Sequence, residues 1–231
     1  MSFVCSLETN QSYQGVSGCG KSTLGMALAS ALSVPFLDAD DLHPPANVAK
    51  MSAGTPLTDA DRAPWLVKVR DAAQNAVKEI DQGESTTGRG VVVACSALKK
   101  SYRDVLRGER ITLSEETQDH TEVLSVARQS EDSRGKVDPS SALPDIRTFF
   151  VHPSGPRDVL LSRMHGRQGH FMKADMLDSQ LSTLEDPLDT GEDAVVRVSV
   201  EDETGMQLRE AVDALRNFGI ISTQSPGAKV L

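Results

Sequence analysis

A chain of 231 residues with 24 Lys+Arg against 33 Asp+Glu carries a formal charge of −9; 39% of it is hydrophobic and 25% charged. At roughly 150 residues per domain this describes one domain with room for an insertion, and enough apolar side chain for an ordinary core. An acidic chain without a basic block is a poor partner for nucleic acid or an anionic membrane surface, and its longest apolar run, residues 91–98, falls far short of the ~18 residues a membrane span needs.

The N-terminal residues lack the basic and long apolar regions of a secretory signal. Cys5, Cys19 and Cys95 show no CxxC spacing, which suits a reducing cytosol better than a disulfide framework or structural zinc. A cytoplasmic location is expected. Residues 1–7 are largely apolar, whereas Glu8-Thr9-Asn10-Gln11-Ser12-Tyr13-Gln14 is polar almost throughout.

Gly15-Val16-Ser17-Gly18-Cys19-Gly20-Lys21-Ser22 then matches G-x-x-x-x-G-K-[ST], a pattern that chance produces in roughly one chain in a hundred of this length. It opens a helix over residues 21–32, where Leu24, Leu28 and Leu32 share one face. Glycines let backbone N–H groups converge on phosphate oxygens, and the helix N-terminus adds partial positive charge. Lys21 is placed to reach the β- and γ-phosphates and the Ser22 hydroxyl to ligate Mg²⁺. Cys19 occupies a variable position of the loop and reads as an inert residue rather than a reactive thiol.

A short apolar run, residues 35–37, ends in Asp38-Ala39-Asp40-Asp41. Ligands bind just past strand ends in open parallel sheets. If the strand continues, Asp38 and Asp40 share a face; one can then order metal-bound water while the other takes a hydroxyl proton. An acidic turn capping the next element is the alternative. A long helix follows from about residue 58, with Trp65, Leu66, Val69, Ala73, Val77 and Ile80 at helical spacing and Gly83 as its stop. Residues 91–95 read as a strand buried on both faces and 98–106 as a helix closed by Gly108. Residues 110–145, rich in Ser, Glu, Asp, Gln and Thr, break the rhythm and read as a flexible surface insertion. The alternation resumes with a strand at 148–151, helices at 156–164 and 176–184, a strand at 194–200 and a closing helix at 203–218, before a frayed tail at 222–231. Alternating β and α elements imply a parallel sheet covered by helices on both faces.

Three further strings are distinctive: residues 50–66 (Lys-Met-Ser-Ala-Gly-Thr-Pro-Leu-Thr-Asp-Ala-Asp-Arg-Ala-Pro-Trp-Leu), residues 94–104 (Ala-Cys-Ser-Ala-Leu-Lys-Lys-Ser-Tyr-Arg-Asp), and Arg167-Gln168-Gly169-His170-Phe171-Met172. With the phosphate loop and Asp38-Ala39-Asp40-Asp41-Leu42-His43-Pro44, they closely resemble the small P-loop gluconokinases, relatives in architecture of shikimate and nucleoside monophosphate kinases. The resemblance covers about residues 15–106 and 148–218. It implies an α/β, three-layer P-loop kinase fold: a parallel sheet of about five strands flanked by helices, one domain over residues 1–221, and a mobile lid at 163–172. It implies ATP and Mg²⁺ as cofactors, D-gluconate as the small-molecule substrate, and transfer of the γ-phosphoryl group to the 6-hydroxyl. A homodimer is the family's common assembly.

The same resemblance assigns roles. Gly15, Val16, Ser17, Gly18, Cys19, Gly20, Lys21, Ser22 and Thr23 cradle the triphosphate. Ser22 ligates the metal with Asp38 beside it. Asp40 orients and deprotonates the acceptor hydroxyl, and His43 adds a polyol hydrogen bond. Arg62 is the first choice for the gluconate carboxylate, because a guanidinium grips a carboxylate bidentately; Lys99 and Arg103 are second choices. Arg163 and Arg167 bracket the lid, with Arg167 closing on the phosphates and His170 lining the substrate side. The strand string at 91–95 lacks a Walker-B Asp, an absence the gluconokinases share. The polar segment before Gly15 is the main departure. A buried strand is expected there, and unpaired buried amides cost roughly 1–3 kcal/mol each. Either the gene model errs at an exon boundary, or the first strand is short or distorted, such as Ser12 to Gln14.

Overall fold

The computed structural model describes residues 4–5, 10–13, 16, 18–81, 90–109, 147–165 and 174–221. Gly15, Ser17, Arg167 and His170, the 110–145 insertion, most of the 163–172 lid and the 222–231 tail lie outside these residues. The strands are β1 Val4–Cys5, β2 Asn10–Tyr13, β3 Phe36–Asp38, β4 Val92–Ala94, β5 Phe149–Ser154 and β6 Val195–Ser199. The helices are α1 Lys21–Leu32, α2 Pro45–Ser52, α3 Asp59–Asp81, α4 Lys100–Arg107, α5 Arg157–His165, α6 Ala174–Thr183 and α7 Thr204–Asn217, with a 3-10 turn at Ala39–Leu42.

The sheet order is β3-β4-β1-β2-β5-β6. β3 pairs parallel with β4, and β2 with β5 and β5 with β6 likewise; β1 opposes both β2 and β4. Five strands therefore share one direction, and a two-residue antiparallel strand stands between β2 and β4. The polar segment does form the strand before the phosphate loop, starting at Asn10 rather than Ser12, with Gln11, Ser12 and Tyr13 opposite Phe149, Phe150 and Val151. Strand pairing uses backbone N–H and C=O groups, which every non-proline residue carries, so a polar sequence can supply it.

Side chains alternate across the sheet with period two. Val91, Val93, Cys95, Phe150 and Val195 pack against α3 and α4, through Trp65, Leu66, Val69, Ala73, Val77, Tyr102 and Leu106. Val92, Phe149, Val151 and Val198 face the other way, onto Leu24 and Leu28 of α1 and Ala211 and Leu215 of α7. The result is the expected three-layer fold. Among the described residues, no helix is long and apolar enough to cross a membrane.

Three elements were not expected from the sequence: β1, whose two residues lie in the apolar stretch 1–7, the 3-10 turn and α2. The 3-10 turn is capped by Asp38, whose side chain accepts the Asp40 N–H, and α2 begins with Pro45 in its first turn. Both are too short to show a helical repeat. The start of α3 is fixed by reciprocal bonds: the Asp61 N–H donates to Thr58 Oγ1 at 3.2 Å, and the Thr58 N–H to Asp61 Oδ2 at 2.9 Å. Lys50 of α2 reaches the same carboxylate at 2.6 Å. Led by the Lys50 bond, these contacts hold the Asp61 carboxyl down at about 2. They tie α2 to α3 and close the wall beside the strand ends.

Candidate active site

The phosphate loop is shaped by two left-handed glycines, Gly18 at φ +84° and Gly20 at φ +88°. At Gly18 an added Cβ would stand 2.6 Å from Met164 Cγ and 2.9 Å from the Leu160 carbonyl oxygen, so α5 is packed directly onto the loop. Gly20 caps α1 without a side-chain hydrogen bond, which leaves the first-turn N–H groups to an external acceptor. Lys21 Nζ folds over the loop, donating to the Val16 carbonyl at 2.9 Å. Val16 and Cys19 are buried with Leu98, Leu160, Met164, Leu177 and Val200; Cys19 is an apolar anchor of the loop. Thr23, the next residue of α1, is exposed. Arg163, near the end of α5, places Nη1 3.8 Å from where a Gly20 Cβ would sit, over the loop's last glycine. Cys95, at the end of β4, is fully enclosed, and burial pushes its thiol up to about 12.

From α1, the Ser22 hydroxyl donates to Asp38 Oδ2 at 2.9 Å, while Asp38 Oδ1 accepts the Asp40 N–H at 3.1 Å. Both oxygens of Asp38 are thus engaged, one toward the loop and one toward the turn. The strand stops at Asp38, so the argument that Asp38 and Asp40 share a strand face does not hold. The turn separates them: Asp38 is half-buried against Ser22, and the Asp40 side chain is 70% exposed.

His43 follows on the same turn. It is buried, its ring stacked flat on Trp65 with centroids 4.1 Å apart. Trp65 donates its indole N–H to the Ala39 carbonyl at 2.8 Å, so α3 fixes the turn from below. Burial lowers the His43 pKa, the Asp40 charge opposes this, and the Arg62 charge adds to it. Arg62 lies one turn before Trp65 on α3, donates to the Leu57 carbonyl, and holds its guanidinium carbon 5.8 Å from the Tyr102 ring centre.

On the far side of that ring system, Lys99 Nζ donates to Asp59 Oδ2 at 2.6 Å, and the Tyr102 hydroxyl donates to Asp59 Oδ1. Burial works to raise the Asp59 pKa, but the Lys99 and Tyr102 bonds, with the charges of Lys99 and Arg62, bring it below the ordinary value. Asp40, His43, Arg62, Tyr102, Asp59 and Lys99 are therefore linked in a polar row, each beside the next.

Arg103 does not join it. The sequence made it a candidate for a substrate carboxylate, but its side chain has no exposed surface. Nε donates to both Glu192 oxygens at 2.9 Å, Nη1 to the carbonyls of Ala97 and Leu98, and Nη2 to Glu192. The guanidinium is used up inside the protein, and Arg103 leaves the substrate set. Sequence reasoning in turn passed over Asn47, Asp59 and Tyr102 as site residues. Asp59 and Tyr102 sit within the distinctive strings, which was the available signal; Asn47, between Pro44 and Lys50, carried none.

The shikimate kinase family model matches residues 17–125. Gluconokinase of Gluconobacter oxydans is 40% identical over 86% of this chain and 86% of its own length. Thermosensitive gluconokinase of Escherichia coli is 35% identical, covering 91% of this chain and 90% of its own. A solved gluconokinase from Sinorhizobium meliloti superposes with a TM-score of 0.63 at 38% identity, over 90% of this chain and 91% of that one. With a phosphate loop on a three-layer sheet and relatives this similar along nearly their whole length, the chain belongs to the gluconokinase family.

Proposed function

We propose that the chain transfers the γ-phosphoryl group of ATP to the 6-hydroxyl of D-gluconate, yielding ADP and 6-phospho-D-gluconate. The observation that carries the reading is the Ser22–Asp38–Asp40 linkage: one carboxylate joins the phosphate loop to the turn that presents a second, exposed carboxylate. In the reaction the O6–H proton passes to Asp40, an O6–P bond forms, and the bond from the γ-phosphorus to the bridging oxygen breaks, leaving ADP. Backbone N–H groups of residues 15–23 hold the triphosphate, and Lys21 leaves the Val16 carbonyl for the transferring group.

The donor set fits Mg²⁺, which is bound by one or two protein oxygens together with substrate phosphates and water rather than by a full protein cage. Ser22 Oγ would supply such an oxygen, with the Asp38 carboxylate beside it accepting the hydrogen bond of the hydroxyl, and among the described residues no group of three or more His, Cys, Asp or Glu forms a cage. When bound, the ion neutralises charge on the phosphate oxygens. Arg62, with Lys99 beyond it, takes the gluconate carboxylate. Arg163 stands over the last glycine of the loop; Arg167 closes on the phosphates and His170 lines the substrate side, in a lid over residues 163–172 that keeps water from the γ-phosphate. A cytoplasmic homodimer with no nucleic-acid partner completes the reading, on the evidence of cysteine usage, charge and family resemblance.

The test is ATP consumption with gluconate, shikimate or AMP as acceptor. Gluconate alone should support turnover, and Lys21→Ala should lose at least ~10²-fold in kcat with the fold intact, the scale of removing one preorganised donor. ATP binding without turnover on any acceptor would mark a catalytically impaired homologue instead.

A further inference from the structure

His43 has a second role open to it that its hydrogen bonds define. Its Nδ1 lies 3.4 Å from Asn47 Nδ2, and that same Nδ2 donates to the Asp61 carbonyl at 2.9 Å. A carbonyl oxygen can only accept, so the Asn47 amide cannot be flipped, and the atom facing His43 Nδ1 is a donor. Nδ1 is therefore the lone-pair nitrogen, and the ring proton sits on Nε2. Nε2 faces Asp40 Oδ1 at 4.0 Å. Trp65 holds the ring plane, so Asn47 sets the tautomer and Trp65 the direction of the N–H.

The groups around the ring that carry charge are Asp40 from the turn and Arg62 from α3; burial, aided by the Arg62 charge, outweighs the opposing Asp40 charge and keeps the imidazole neutral. A neutral N–H orients a carboxylate without placing a full positive charge beside it. Asp40 needs such a partner: its side chain is 70% exposed, and an unfixed surface carboxylate samples several rotamers. The present separation is longer than a hydrogen bond, as catalytic contacts often are before substrate binds, and a modest turn of the Asp40 side chain closes it.

We propose that His43 is a positioning residue, donating Nε2–H to one oxygen of Asp40 so that the other oxygen is aimed at the acceptor hydroxyl. This rests on the reading of Asp40 as the proton acceptor. It stands in place of the polyol contact expected of His43 from sequence, since Asn47 faces Nδ1 and Nε2 is directed at Asp40.

His43→Phe keeps a flat ring on Trp65 and removes the N–H. It should lower kcat by ~10–100-fold, the scale of a misplaced reacting group, with the KM for ATP and the thermal midpoint little changed; His43→Gln, which restores an amide donor, should recover part of the loss. Asp40→Asn and the double variant Asp40→Asn/His43→Phe complete a cycle. If His43 acts through Asp40, the double variant is no slower than Asp40→Asn alone. Full activity in Asp40→Asn would sink the base reading itself. An inactive Asp40→Asn beside a fully active His43→Phe, or additive losses in the double variant, would overturn the positioning role alone. Should His43→Phe fail to fold, the ring ¹⁵N shifts of the unaltered protein decide: a proton on Nε2 supports the proposal, and one on Nδ1 refutes it.

Discussion

Helix α4 presents two consecutive residues to two charge clusters of the same composition and opposite character. Tyr102 points to Asp59, which Lys99 and Arg62 attend; Arg103 points to Glu192, which Arg107 also grips at 2.7 Å. Each is a carboxylate between two cations. They differ in solvent: the Asp59 side chain is 41% exposed and the Glu192 side chain 3%. In the closed cluster Arg103 spends its donors on Glu192 and on the carbonyls of Ala97 and Leu98, and Arg107 lies 4.4 Å from the ring centre of Phe150, a core residue. In the open cluster the cations can exchange an internal carboxylate for an external one. Burial, more than residue type, sets how far an ion pair stays open to a competing anion.

The largest effect should come from breaking the closed cluster. Arg103→Met leaves Glu192 buried with only Arg107 and Thr190 as partners, and removing one member of a buried pair costs about 3–5 kcal/mol. Denaturant unfolding should register that loss, while the gluconate KM of the folded enzyme stays near its original value. A shifted KM with unchanged stability would return Arg103 to the substrate site.

Arg62→Ala should behave in the reverse way. Its stability cost should be about 1 kcal/mol, the scale of the hydrogen bond it makes to the Leu57 carbonyl, but the KM for gluconate should rise at least ~10-fold, the loss of a charge-assisted contact worth about 1.5–3 kcal/mol. Lys99→Met should raise the same KM by a smaller factor, because Lys99 is committed to Asp59. If the Lys99 variant is the more damaged, the carboxylate binds at that end of the row.

Acid titration should distinguish the clusters more finely. Burial works to raise the Glu192 carboxyl, but the bonds from Arg103, Thr190 and Arg107 hold it down at about 2. A carboxyl depressed in the folded state contributes stability that is present above its unfolded value of 4.5 and lost as pH falls toward 2. Asp61 adds a loss of the same sign over a similar window. His43, lowered from 6.5 in the folded protein, contributes a smaller loss of the same sign that begins below 6.5. Thermal midpoints should therefore decline gently below pH 6.5 and steeply below 4.5. His43→Phe should remove the gentle decline and leave the steep one.

Much of this molecule was legible from short-range pattern. The helix Lys21–Leu32 appears with the bounds its leucine spacing predicted, and Gly18 and Gly20 of the phosphate loop stand where φ is positive. Strands β4 and β6 and helix α7 fall inside their expected spans, whereas β5 runs on to Ser154, past the expected end at residue 151. The failures are informative. Strand Asn10–Tyr13 was judged by the polarity of its side chains, although its place in the sheet comes from backbone pairing with β1 and β5. The Asp38/Asp40 pair was judged as continuous strand, and a capped turn intervened.

What the sequence by itself determined is whatever depends on neighbours within a turn or two of helix or a few residues of strand: the loop, the amphipathic faces and the chemical types available. Tertiary structure alone decided what each charge does. Asp59 meets Lys99 across 40 residues and Arg103 meets Glu192 across 89, and the first turn of α4 takes its acceptor, Glu185, from 85 residues away. A charged side chain's role depends on which partner it reaches and how much water remains around it, and both are properties of the packed chain rather than of its local sequence.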